Sequence, residues 1–318
     1  MSSSSSSSVS QDTAPTVVGP IRVVHIRAVD GTKNILLCGE THEEYFKCMT
    51  GNPVFAADFI EDGIGALAKF GRELDVYVEA PFVWDDEKWY DLPASYPVNI
   101  HSLRHRWREG LQKSKLQVPW KTARFHYVDM RVQAFGSRNP DLQLMEAMAQ
   151  IAYDMAAKKE KPLDESNAHY VGVFKEAKSL EEPMRRAMKF DKQLAHIASP
   201  RTRDVLNKVF KEELVDKLAL VQKYFRSRNI GVDKQPGEMA RQLLWLTHIL
   251  VQDLYALSRM LRTFKRPLEN RQVVFYGGDL HAQTLVRLLL DERYLLHRPP
   301  PLCRASEPGG PTCVGGDV

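Results

Sequence analysis

The sequence predicts an α/β protein: a mostly parallel sheet flanked by helices, with a large helical insertion before the last strand. Three observations carry this expectation. Short apolar runs end in glycine turns near both ends of the chain. A helical pattern separates two of the early runs, as in a β-α-β unit. A long stretch with helical periodicity and no strand signal precedes the final run.

The elements follow in order. Residues 22–29 alternate, with Val24, Ile26 and Ala28 on one face, as a half-exposed edge strand does. Asp30-Gly31 then supplies a hairpin-type turn. Ile35-Leu36-Leu37-Cys38 is a continuous apolar run, the mark of a strand covered on both faces. Phe55, Phe59, Ile60, Leu67 and Phe70 are spaced for one face of a helix that Gly63 and Gly65 weaken. Residues 75–80 and 124–130 are the third and fourth strands, and 272–276 the fifth. Between the last two, Asn139-Pro140 starts a helix carrying Met145, Met148, Ala152 and Met155. Leu206, Phe210, Leu214, Leu218, Val221 and Phe225 mark a second helix, and Leu243, Leu246, Leu250, Leu254, Leu257 and Leu261 a third. The predicted organisation is a Ser-rich disordered tail over 1–19, one α/β domain over 20–297 with a helical insertion or cap at 139–266, and a Pro/Gly-rich disordered tail over 298–318.

Bulk properties narrow the function classes. The chain has 318 residues, 43% hydrophobic and 26% charged, enough to bury a full core. A net charge of +4, with no alternation of basic and aromatic residues, gives nucleic-acid binding no specific support. Neither a signal peptide nor a membrane-length apolar stretch is expected, which predicts a cytoplasmic location. Cys38, Cys48, Cys303 and Cys313 form no CxxC pair, so free thiols are expected, with Cys38 in the core. The oligomeric state is left open.

Two motifs of one form carry the chemistry. Gly39-Glu40-Thr41-His42 follows the second strand, and Gly278-Asp279-Leu280-His281 follows the fifth. Polar groups at the carboxyl ends of parallel strands face the crevice where open α/β sheets bind ligands. Glu79 ends the third strand, and Asp129 and Arg131 end the fourth. If the strands are parallel, these groups share one edge. The glycine pair before His281 implies a close backbone approach. Neutral imidazoles with carboxylates suit a divalent metal such as zinc or manganese, with His42, Glu79, His281 and Asp279 as ligands. Without a metal, a carboxylate–histidine pair can act as general base on water, and Arg131 can steady an oxyanion. Glu79, in an apolar strand end, is costly unless paired or functional. His25, His126 and His248 are expected as satisfied core or surface histidines, and the basic run 104–108 as a solvated face.

The paired Gly-x-x-His motifs, with a strand-end glutamate between them, resemble the superfamily of erythromycin esterases, ChaN-like iron-regulated lipoproteins and TraB/TIKI proteins. The form Gly39-Glu40-Thr41-His42 looks most like the ChaN-like branch, because the esterases have one more residue between Glu and His. Glu79 matches the family's strand-end glutamate, Gly278–His281 its second motif, and Arg131 a family arginine. The resemblance spans about residues 23–290. It implies a metal- or His/Glu-dependent hydrolase of an ester or peptide bond, with His42, Glu79 and His281 at its centre, helped by Glu40, Asp279 and Arg131. The ChaN-like members bind haem, so a non-catalytic haem-, metal- or partner-binding protein is the alternative, and an interaction protein working through its helices a third. The serine-run start and layout also look similar to proteins of large DNA viruses, which would place the chain in the host cytoplasm.

Overall fold

The structure, a computed structural model, describes residues 16–18, 20–27, 33–40, 53–69, 73–81, 100, 103, 123–129, 172, 175–176, 181–227, 237–262 and 271–290. Five of its strands are β2 (Pro20–Arg27), β3 (Lys33–Glu40), β5 (Leu74–Pro81), β6 (Ala123–Asp129) and β7 (Arg271–Gly278). They form one mixed, mostly parallel sheet in the order β2-β3-β7-β5-β6. The edge strand β2 is antiparallel to β3, and the other neighbours are parallel. All five strands expected from the sequence are present. A further pair, β1 (Thr16–Val18) and β4 (Pro53–Phe55), is parallel, so a strand begins within the opening segment expected to be a tail.

Strand order decides which groups can meet. The last strand, β7, enters between β3 and β5, with Cys38 opposite Tyr276 and Val78 opposite that same Tyr276. The carboxyl ends of β3, β7, β5 and β6 therefore share an edge that brings Glu40, Gly278, Glu79 and Asp129 together in one row. Side chains alternate along each strand. Cys38, Leu74, Val76, Val78, Ala123 and Tyr276 pack on one face with Ala56, Ala57, Ile60 and Ile64 of α1 (Ala56–Lys69). Ile35, Leu37, Tyr77, Val128, Val273 and Phe275 pack on the other.

That second face is covered by helices. Between β6 and β7 the described residues form α2 (Glu181–Ala187), α3 (Phe190–Leu194), α4 (Pro200–Val209), α5 (Asp216–Ser227), α6 (Gly237–Leu244) and α7 (Val251–Met260). Ser199 caps α4 by accepting from Thr202 N at 3.2 Å, with Pro200 in the first turn. Two π-helical stretches, Phe210–Val215 and Trp245–Leu250, join α4 to α5 and α6 to α7 without a break. The apolar stripes read from the sequence are buried: Leu206, Phe210, Leu214, Leu218, Val221 and Phe225, then Leu243, Leu246, Leu250, Leu254, Leu257 and Leu261. The helix expected after Asn139 lies outside the described residues, as do Asp30-Gly31, the run 104–108, Cys48, Cys303, Cys313 and the tail from 298. No described helix is long and apolar enough to cross a membrane.

The final helix, α8 (Asp279–Leu290), starts directly from β7 with no intervening loop. Its first turn lies so close to β3 that a Cβ on Gly39 would sit 2.8 Å from the Asp279 Cα and 2.9 Å from the Ala282 Cβ. The first glycine of the Gly39–His42 motif is thus a packing requirement. Gly39→Ala is expected to destabilise the fold by about 1–3 kcal/mol, since backbone must move. Gly63→Ala and Gly65→Ala meet open space inside α1 and are expected to stabilise by up to about 1 kcal/mol each. Thermal unfolding of the three variants checks this; an unaltered midpoint for Gly39→Ala contradicts the close packing of α8 on β3.

Candidate active site

The site forms where three elements meet at the carboxyl edge of the sheet. Glu79 comes from β5, His281 from the first turn of α8, and Asp253 from α7. His281 Nδ1 lies 2.6 Å from Asp253 Oδ1, and its Nε2 lies 3.1 Å from Glu79 Oε1. The other Glu79 oxygen, Oε2, accepts the backbone N–H of Gly278 at 2.6 Å. A Cβ on Gly277 would stand 2.9 Å from that oxygen and 2.8 Å from the Phe275 ring, so only glycine admits the carboxylate beside β7. The close backbone approach expected at the glycine pair is this contact.

Charge follows from the partners. An imidazole with a carboxylate at each nitrogen has only acceptors to satisfy, so it donates from both and is an imidazolium. Burial alone pushes the His281 pKa down, but the charges of Asp253 and Glu79 and their hydrogen bonds outweigh it and raise it well above 6.5. Burial, reinforced by the Glu79 charge, raises Asp253, while the His281 charge and hydrogen bond oppose the rise. Exposure is graded: Asp253 0%, His281 4%, Glu79 7%. Asp253 is thus the deep orienting partner and Glu79 the group nearest solvent. Gln252, 1% exposed, completes the group with its amide nitrogen 3.4 Å from His281 Nε2.

Of the residues singled out from the sequence, Glu79 and His281 meet. Glu40 does not join them: it accepts from Tyr276 OH at 2.6 Å, on the opposite face of the sheet. The physical reason is parity. Glu40, Cys38 and Tyr276 point to the α1 side, whereas Glu79 and Gly277 point to the helical side. Asp279 does not join either. It is held by Arg22 Nε at 2.6 Å and by Gln283 Nε2 at 2.6 Å, which ties α8 to the edge strand. Asp129 is buried at the end of β6. His42 and Arg131 lie outside the described residues.

Motif and spacing do not single out Asp253 or Gln252, although a signal exists. Asp253 falls three residues after Leu250 and four before Leu257, on the apolar stripe of its helix. A carboxylate there is costly unless paired. The preceding π-helical turn, a feature often found beside functional positions, is not readable from periodicity.

A second polar network lies at the amino edge, reached by the far end of α7. Asp75 receives Arg124 Nε at 2.7 Å and Nη2 at 2.8 Å, and lies 3.0 Å from His126 Nε2. Arg259 Nη2 donates to His126 Nδ1 at 3.1 Å. A guanidinium can only donate, so Nδ1 is an acceptor and His126 is neutral with its proton on Nε2. Burial, helped by the two arginine charges and opposed by Asp75, lowers the His126 pKa below 6.5. Burial acts to raise Asp75, but His126 and Arg124 outweigh it and lower its carboxyl to about 2. The expectation of a satisfied histidine at 126 agrees with this. Cys38 is buried, and burial pushes its thiol up to about 12, leaving it an inert core residue.

No family model matches the chain, and no curated protein and no solved structure matches it. Its function is therefore read from its own geometry.

The two edges of the sheet are expected to respond to pH in opposite senses. His281, raised, contributes stability that is complete below 6.5 and is lost as pH climbs through its folded value. Asp75, lowered, contributes stability that is complete above 3.8 and is lost as pH falls toward about 2. Ring 15N resonances should show two N–H groups on His281 above pH 6.5 and one, on Nε2, for His126 at the same pH. A His281 ring that loses a proton at or below 6.5 contradicts its double pairing with Asp253 and Glu79.

Proposed function

We propose that the chain is a His/Glu-dependent hydrolase of an ester or peptide bond, working at the carboxyl edge of the sheet. The observation that carries the reading is the 3.1 Å link between Glu79 Oε1 and His281 Nε2, backed by Asp253. Glu79 removes a proton from water as the resulting hydroxide attacks the carbonyl carbon. His281 Nε2–H then protonates the departing oxygen or nitrogen. The proton taken by Glu79 returns to His281 across the same link, restoring both groups. Asp253 holds the ring in orientation and supports its charge, as the buried acid of a hydrolase triad does. The helices before β7 act as a cap in this reading, because α7 carries Asp253.

A divalent metal, zinc or manganese, fits part of the donor set. His281 and Glu79 would hold it, with Asp253 as the carboxylate behind a metal-ligating imidazole. His42, expected as a further ligand, lies outside the described residues, Asp279 is engaged with Arg22, and no described group of three such side chains has metal-binding spacing. When bound, the ion would supply Lewis-acid polarisation and a more acidic water. The non-catalytic alternative is a haem, metal or partner site on the same residues.

A purely structural role is the second reading, and the burial of all three groups favours it. Removing one member of a buried ion pair costs about 3–5 kcal/mol. The readings separate when turnover and folding are measured together. On a panel of chromogenic esters and peptides, Glu79→Gln should lower kcat by about 10²–10⁴-fold while circular dichroism and sedimentation stay native. His281→Ala should abolish turnover, and a like loss in His42→Ala would point to the metal-assisted form, in which His42 is a further ligand. Native turnover in folded Glu79→Gln sinks the hydrolase reading. A haem-dependent absorbance band lost in the histidine variants, without hydrolysis, supports the binding alternative.

A further inference from the structure

Two buried polar atoms of the site have no hydrogen-bond partner, Asp253 Oδ2 and Gln252 Oε1. The Asp253 carboxylate is already paired through its other oxygen, whereas the Gln252 amide is satisfied at neither end. Gln252 lies on α7 directly before Asp253 and is 1% exposed. Its Nε2 faces His281 Nε2 at 3.4 Å, and the two nitrogens conflict. His281 Nε2 already donates to Glu79, so it has no lone pair to offer an amide N–H. A half-turn of the amide about its terminal bond removes the conflict, and oxygen and nitrogen of such a group are interchangeable in shape. The amide oxygen then shares the imidazolium proton. The NH2 group moves to the position that had no partner. An amide end left unsatisfied in the interior costs about 1–3 kcal/mol, and a catalytic role is one reason for a native fold to keep it.

We propose that Gln252 is a catalytic residue: its side-chain NH2 donates to the carbonyl oxygen of the scissile ester or amide and stabilises the oxyanion that forms there. The assignment rests on the hydrolase reading above and deepens it. The donor belongs to the amide whose other end meets the imidazolium that protonates the leaving group. It is held on a helix, not a loop, so its aim is fixed before the substrate arrives. A neutral donor is also suited to this pocket. Glu79 and Asp253 with one imidazolium leave a net negative charge when both are ionised, which disfavours anionic substrates. A charge that develops only at the carbonyl oxygen is met by the imidazolium and the amide together. The substrate class that follows is a neutral or amine-bearing carbonyl compound, with no carboxylate or phosphate next to the scissile bond.

The test compares Gln252→Met and Gln252→Glu with the wild type on the same chromogenic ester and peptide panel. Met keeps the volume and removes both polar atoms. Glu keeps the shape and acceptor and removes the donor. Folding is checked by thermal unfolding, and Gln252→Leu, which also removes both polar atoms, replaces Met should Met fail to fold. The expected result is a kcat about 10²–10³-fold lower in both Met and Glu variants, with KM within a few-fold of wild type. Substrates bearing a carboxylate beside the scissile carbonyl should be turned over more slowly than their neutral counterparts. If the wild type is active and Gln252→Met keeps its kcat, the oxyanion role is overturned while the hydrolase reading stands. If the variants change KM or the pH profile alone, Gln252 only holds the ring, and the proposal fails in the same way. If the wild type hydrolyses nothing on the panel, the hydrolase reading fails and takes this assignment with it.

Discussion

One buried imidazolium ties the protein together. His281 joins α8 to α7 through Asp253 and to β5 through Glu79, so three elements remote in sequence converge on a single ring. In an interior of low dielectric, the ring between the two carboxylates offsets much of the cost of burying them. The strand order serves this convergence. Had β7 not entered between β3 and β5, Glu79 would not lie beside Gly277 and α8 would not start at the same edge. Helix α7 is then held at its other end as well. Lys33 Nζ donates to the carbonyls of Met260 and Arg262 at 2.6 and 2.7 Å, and Tyr77 OH donates to Arg259 O at 3.0 Å. A helix pinned at both ends places Asp253 and Gln252 with little freedom.

The same helix meets two histidines in opposite states. At its start, Asp253 and Glu79 enclose His281 and hold a positive charge. At its end, Arg259 and Asp75 enclose His126 and hold a neutral ring, stacked on Tyr77 with centroids 4.4 Å apart. Burial disfavours the charged imidazole in both places, so the neighbours decide. Two acceptors make a cation; one acceptor and one guanidinium make a neutral ring. The chemical division of the sheet follows, with a proton-carrying group at the carboxyl edge and a structural network at the amino edge.

Much of this is legible in the sequence, for reasons that differ by element. The continuous run Ile35–Cys38 and the alternation from Arg22 to Ile26 reveal strands because burial on one or two faces leaves its period in the chain. The leucine stripes reveal helices in the same way. Glu79 is legible because a carboxylate in an apolar strand end is expensive. Contacts between elements leave no such trace. Glu40 and Glu79 look equivalent at two strand ends, yet side-chain parity sends them to opposite faces. Asp279 looks like a partner of His281, two residues on, yet Arg22 from the edge strand holds it. Asp253 is hidden in a leucine-rich helix, and its role emerges only once α7 lies across the sheet. Two glycines act sterically, since Gly39 admits α8 and Gly277 admits Glu79, to which Gly278 donates its backbone N–H.

The central claim is that Glu79 and His281 act as one unit, passing a single proton between them. A double-mutant cycle in kcat/KM, built from Glu79→Gln, His281→Gln and the combined variant, tests it most directly. Residues that work as a unit are strongly non-additive. The combined variant is expected to lose no more activity than the more damaging single change. Losses that multiply would show two groups working independently, and the shared proton would be contradicted.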